Sequence, residues 1–196
     1  FYILGYLVEI VSGKPLADFW SENIFNPLGM KDTGAYVNGN DYENEALGYS
    51  KIEGKVKLAM NWDMSWAGGA GNIYSTVEDL FLWNEALHNG KLLSAESYRE
   101  AITPALLSNG EKADMWGSHY GFGLMLNEVK GRQVVRHGGG LHGFRASLAR
   151  LPGENVTFVT LSNSSPSNLN FREDPFTQIA SRMIGLDPME ESVALG

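Results

Sequence analysis

Cysteine is absent from the 196 residues, which excludes disulfides, thiolate metal sites and a cysteine nucleophile. Basic side chains are in deficit: fifteen Lys and Arg stand against twenty-three Asp and Glu, a net charge of −8. A nucleic-acid partner would favour the opposite balance and is not expected. No run of eighteen apolar residues occurs, so no membrane span is expected. The apolar stretch from Phe1 to Val11 lacks a basic flank and carries Glu9 within it, so it reads as a helix rather than a signal peptide. A chain that begins with Phe rather than Met is expected to be cut from something longer. Histidine is scarce as well. His137 and His142 stand five apart across glycines with no acidic neighbour, a poor ligand set, and no metal or cofactor is expected.

What is present is glycine in one place. Arg136-His137-Gly138-Gly139-Gly140-Leu141-His142-Gly143-Phe144 sets a proton-active imidazole and three consecutive glycines at the end of one expected strand, just before another. A packed hairpin would need one or two glycines. This many suggest backbone kept bare so that something can approach it closely; a loose glycine turn is the plainer alternative.

Helical signals dominate the first part of the chain. Ile3, Leu4, Leu7, Val8 and Val11 predict a helix from about Tyr2 to Ser12, ended by Gly13. A second is predicted from Leu16 to Phe25 and broken by Pro27 and Gly29. Residues 31–61 read as a long polar excursion with a short hairpin around Glu53-Gly54. Ser75-Thr76-Val77-Glu78 fits a capping box with Ser75 as the cap, and Asn89-Gly90 stops the helix it opens. Ser94 caps a shorter helix that runs to Ile102. Alternation then predicts strands at Phe122–Leu126, Gln133–His137, Phe144–Leu151 and Val156–Asn163, and a closing helix at about Pro175–Ile184. The expected class is α+β: an antiparallel sheet flanked by helices with a mainly helical subdomain. Residues 1–115 form the helical region with its excursion, and residues 116–196 the strands and last helix.

Several segments, taken together, resemble the serine β-lactamase and penicillin-binding protein family, most closely its class C branch, which includes esterases and D-aminopeptidases. They are Phe1-Tyr2-Ile3-Leu4-Gly5-Tyr6-Leu7, Ile24-Phe25-Asn26-Pro27-Leu28-Gly29-Met30, Ala67-Gly68-Gly69 running into Tyr74 to Leu80, His137-Gly138-Gly139, Leu151-Pro152-Gly153 and Leu161-Ser162-Asn163. The resemblance covers nearly the whole chain in the right order and implies a β-lactamase/transpeptidase-like fold. It also implies acyl transfer on a small ester, amide or β-lactam through an acyl-enzyme. The nucleophile's Ser-x-x-Lys and the relay Tyr-x-Asn lie upstream in such proteins. The chain is therefore expected to be a C-terminal portion, without the N-terminal strands and nucleophile helix, and inactive by itself. A non-catalytic binding or regulatory module on the same fold is the alternative.

The resemblance gives roles to particular residues. His137 takes the slot of the third-motif cation, and the Gly140 amide joins the oxyanion hole. Gly138 and Gly139 keep that wall bare. Gly138 stands where a hydroxyl would otherwise meet a substrate carboxylate, which favours an esterase or small-amide hydrolase, and Arg145 is a candidate compensating cation. Trp66, with Trp62 and Trp116, is a candidate cleft aromatic. His88 is expected to cap its helix, and His119 to lie on the surface. The strand at about Val156–Asn163 is expected to be an open edge that pairs with a second copy or with the missing N-terminal portion.

Overall fold

A computed structural model describes residues 1–115, 117–129, 131–165 and Arg182. Helix α1, Tyr2–Ser12, ends where Gly13 adopts φ 69° and donates its amide to Glu9 O. That left-handed turn is cheap for glycine and satisfies a terminal carbonyl. Helix α2, Leu16–Trp20, does not stop at Pro27. A π-helical turn at Ser21–Phe25 leads into α3, Asn26–Leu28, which holds Pro27 in its first turn. There the ring's missing donor is no loss. Gly29, at φ 72°, is the actual stop.

The excursion that follows contains β1 (Gly34–Ala35), the hairpin β2–β3 (Tyr49–Ile52 and Lys55–Leu58) and β4 (Ile73–Tyr74), which pairs with β1. Glu53 and Gly54, at φ 52° and 77°, form the expected two-residue turn, with both φ values positive as the twist of a tight hairpin requires. Helix α4, Val77–His88, is capped one residue later than the capping box suggests. Thr76 Oγ1 accepts the Asp79 amide at 3.2 Å, while Ser75 Oγ is engaged with Thr33 Oγ1 at 2.7 Å. The tertiary partner takes the hydroxyl that the local pattern had reserved. Helix α5, Ala95–Ala101, starts at Ser94 as expected.

Six antiparallel strands make the main sheet: β5 (Asp114–Met115), β6 (Ser118–Tyr120), β7 (Met125–Val129), β8 (Arg132–Leu141), β9 (Phe144–Leu151) and β10 (Val156–Ser162), in the spatial order β10-β9-β8-β7-β6-β5. Two expectations change here. The strand placed at Phe122–Leu126 begins only at Met125, because Gly121 and Gly123 sit in the turn before it. The glycine run does not follow its strand but belongs to it. Gly138, Gly139 and Gly140 pair with Ser147, Ala146 and Arg145. The turn is His142-Gly143, with Gly143 at φ 81°. Pairing across the sheet overrides glycine's weak strand preference.

Val134, Ala149, Leu151 and Phe158 are buried together, with Val129 and Val156 against them. Burial of each Leu, Val or Phe side chain contributes about 1.5–3 kcal/mol. Helix α4 is tied to the sheet by a buried polar cluster. Arg150 donates to Glu85, Thr157 and Asn155, and Thr157 Oγ1 donates to Asn84 Oδ1 at 3.0 Å. Strand β10 is outermost, paired only with β9 among the described residues. A last strand, β11 (Ser164–Ser165), runs parallel to β2 and joins the excursion to the chain after β10. The closing helix expected at Pro175–Ile184 lies outside the described residues, apart from Arg182.

Candidate active site

Strand β7 pairs with β8 only as far as Met125 opposite Arg136. From His137 to Leu141, β8 therefore has β9 on one side and no strand on the other among the described residues. The register fixes which amides face that open side. A two-residue turn makes Leu141 and Phe144 a hydrogen-bonded pair. Alternation then puts Gly139 and His137 in hydrogen-bonded pairs with β9, while the N–H groups of Gly138 and Gly140 point away from it. The sequence has placed its barest backbone along a short exposed sheet edge.

His137 is exposed on this stretch, and its Nε2 lies 3.2 Å from the Tyr120 hydroxyl. Tyr120 is held at both ends of its peptide: its amide donates to Ala113 O at 3.1 Å and its carbonyl accepts from Ala105 N at 2.8 Å. The adjoining Gly121 cannot be enlarged, because a Cβ there would run into the Ala101 carbonyl. Partial burial raises the Tyr120 hydroxyl pKa above the ordinary phenol value, so it stays protonated across the neutral range. It can give a proton to the imidazole or accept a bond from it.

On the other side of the glycines, Arg145 extends its guanidinium over Gly140. A Cβ at Gly140 would collide with Arg145 Nη1 and sit 3.0 Å from its Cζ. At Gly138 and Gly139 the nearest atoms to such a Cβ are Ala146 O at 3.3 Å and Ala146 Cβ at 3.8 Å. Bareness at position 140 thus serves a neighbouring cation as well as any ligand on the open side.

Trp66 ends a 3-10 turn, Met64–Trp66, capped by Asp63, whose carboxylate accepts the Ser65 amide at 2.9 Å. Hydrogen bonds from Ser65 and Asn38 hold the Asp63 carboxyl below its ordinary pKa. Trp66 is 58% exposed and stacks on Trp62, ring centroids 4.8 Å apart. Trp62 meets His142 edge-on, at 4.4 Å and 82°, and its indole N–H donates to His142 Nδ1. The aromatic pair is thereby joined to the tip of the β8–β9 turn. Trp116 lies outside the described residues.

The site residues named from sequence therefore fall into two groups. His137, the three glycines and Arg145 are contiguous along the edge, while Trp66 reaches it through Trp62 and His142. Sequence reasoning missed Tyr120 and the structural use of His142. Tyr120 is flagged only by the short Gly117-to-Gly121 interval. His88 does not cap its helix: Nδ1 bonds to the Tyr98 hydroxyl on α5. His119 is exposed, as expected. Among the described residues no three His, Cys, Asp or Glu side chains group as metal ligands. Ser-x-x-Lys occurs nowhere in the sequence, but Tyr-x-Asn occurs literally twice, at Tyr36-Val37-Asn38 and Tyr42-Glu43-Asn44. Both tyrosines are committed to an aromatic cluster with Tyr74, and the Tyr42 hydroxyl accepts the Val37 amide at 2.7 Å.

The family model for beta-lactamase matches residues 1–181. The D-aminopeptidase of Brucella canis is 29% identical over 163 residues, 83% of this chain and 30% of its own length. That of Gluconobacter oxydans is 26% identical over 164 residues, again 83% and 30%. The chain thus spans less than a third of these relatives. Among solved structures, the D-amino acid amidase of Ochrobactrum anthropi SV3, complexed with D-phenylalanine, has a TM-score of 0.74 at 25% identity. The match covers 97% of this chain and 57% of that one. The octameric penicillin-binding protein homologue of Pyrococcus abyssi shares the fold, with a TM-score of 0.77 at 22% identity, over 95% and 42% of the two chains.

Proposed function

Because the chain belongs to the beta-lactamase family, we propose that it supplies one wall of a serine hydrolase site that works through an acyl-enzyme on a small amide, ester or β-lactam. The single observation that carries this reading is the unpaired edge of β8. Two outward amides, at Gly138 and Gly140, stand beside an imidazole already engaged with a neutral tyrosine. The likeness to D-aminopeptidases and a D-amino acid amidase favours an amide as substrate.

In this proposal the substrate carbonyl oxygen accepts the Gly140 N–H. A preorganised backbone donor of this kind contributes roughly 3 kcal/mol to a tetrahedral transition state. Gly138 and Gly139 present no side chain to the incoming acyl group. His137, hydrogen-bonded to the neutral Tyr120 hydroxyl behind it, takes a proton from or returns one to the reacting centre, while the phenol holds the imidazole in place. Trp66 offers an apolar face to the substrate's side chain.

Acyl transfer also needs an activated hydroxyl within reach of a base. With no Ser-x-x-Lys in the sequence, the 196-residue chain alone is inactive in this reading. Exposure to a serine-reactive fluorophosphonate tests it. The natural protein that contains this chain is expected to be labelled at a serine outside residues 1–196, and the chain alone is not. Labelling of a serine within the chain, or of neither form, rejects the proposal; the latter result favours a binding or regulatory module.

A further inference from the structure

The tip of the β8–β9 turn is fixed from one side by backbone. Gly143 packs so closely on Gly48 and Ala59 that a Cβ on it would strike both, and the Phe144 ring lies against Gly48. On its other side the turn meets the tryptophan segment through His142. The half-buried Trp62 donates its indole N–H to His142 Nδ1 and stacks on the exposed Trp66 at an interplanar angle of 27°. Among the described residues no other hydrogen bond joins residues 60–66 to the turn; those of Asp63 and Met64 run to Asn38 instead. The charged groups on the surrounding elements are Asp63, whose carboxylate is taken by Ser65 and Asn38, Arg145 on β9, and Lys51, Glu53, Lys55 and Lys57 on the β2–β3 hairpin. None of them bonds to the imidazole among the described residues.

We propose that His142 is a positioning residue for this aromatic pair: the neutral imidazole holds Trp62 and Trp66 against the turn, and a second proton on the ring releases them. An indole nitrogen can only donate. Its partner Nδ1 must therefore offer a lone pair, which puts the proton of the neutral ring on Nε2. The imidazolium carries N–H groups at both positions, so Nδ1 can then no longer accept. Imidazoles change charge between about pH 5 and pH 8. The bond belongs to the alkaline side of that range, and its loss to the acid side. Trp66 rests one face on Trp62 and leaves 58% of its surface in solvent, so its orientation follows that of Trp62. The use of this clamp in the reaction rests on the reading of Trp66 as a wall of the acyl site; the clamp itself does not.

The test is proton–nitrogen NMR of the protein, labelled at its tryptophan indoles and histidine rings, at about pH 8 and about pH 5, with Trp62→Phe assigning the signal. The Trp62 N–H is expected at a hydrogen-bonded position at the higher pH and at a free position at the lower, moving in step with the His142 ring nitrogens. His142→Gln offers an amide oxygen that accepts the indole N–H and takes up no proton, so the bonded position is expected at both pH values. His142→Leu is expected to show the free position at both. The indole signals of Trp20 on α2 and Trp83 on α4 report that each variant is folded. A Trp62 signal that stays put while His142 titrates overturns the proposal, as do Gln and Leu variants that behave alike. Binding of N-acetyl-D-phenylalaninamide, which is uncharged throughout, tests the use of the clamp. At the lower pH His142→Gln is expected to bind it about fivefold more tightly than the wild type, the usual worth of one hydrogen bond, with His137 the same in both. Equal affinity, with the clamp titrating as expected, rejects Trp66 as a wall of the acyl site and leaves the clamp standing.

Discussion

His137 Nε2 and the Tyr120 hydroxyl face each other at 3.2 Å across the point where β7 ends, seventeen residues apart in sequence. The contact joins two groups with complementary proton chemistry: an imidazole and a phenol whose pKa partial burial raises further above the neutral range. Neither belongs to the buried cluster of the main sheet, so their pairing is expected to add little to stability.

Tyr120→Phe is therefore expected to leave stability within about 1 kcal/mol of the wild type, the usual worth of one part-exposed hydrogen bond. It should still move the His137 Nε2 nitrogen resonance. Urea unfolding and imidazole NMR check the two halves. An unchanged resonance would mean that the contact does not persist in solution.

Acid should weaken the fold through His88. Burial, with the nearby Arg150 charge adding to it, lowers its pKa from 6.5 to about 4, against the weaker opposing pull of Glu85. Between those values the unfolded chain binds a proton that the folded chain refuses, so stability is full above 6.5 and falls as pH drops toward 4. The slope of unfolding free energy with pH should be shallower in His88→Gln over that window.

Glycines in one hairpin should differ in what they tolerate. Gly143→Ala forces a positive φ on alanine and drives its Cβ onto Ala59 and the Gly48 backbone. A loss of about 2 kcal/mol or more is expected. Gly140→Ala meets only the movable end of Arg145 and should cost less than about 1 kcal/mol. Urea midpoints of the two variants decide the order.

Arg150 is 3% exposed and its partners come from α4, from β10 and from the turn before β10. Arg150→Met alone strands the Glu85 carboxylate in a largely closed setting and should destabilise by about 3 kcal/mol or more. The double variant with Glu85→Met should recover much of that loss. A double-mutant cycle by chemical denaturation measures the coupling.

Local signals made much of this fold readable. Gly13, Ser94 and the Glu53-Gly54 turn act within a few residues of themselves, so their roles survive folding unchanged. Where a distant partner competes, local reading slips. Thr33 takes the hydroxyl of Ser75 and moves the cap to Thr76, and β9 draws three glycines into a strand that their own preferences would end. The glycine edge and His137 could be named from sequence because they are contiguous. Tyr120 could not, because its partner lies seventeen residues away; Trp62 is legible as a cleft aromatic, but its bond to His142, eighty residues away, is encoded by no local pattern.

The overlap between an absent side chain and a present one ties two positions on adjacent strands into a single heritable unit. A lineage that gains any larger residue at 140 must shorten or redirect what stands at 145, and one that loses the long cation at 145 frees 140 to vary. Loss of the cation costs nothing at 140, so in kindred chains bulk at 140 should accompany a shorter or redirected side chain at 145, while change at 145 can come first.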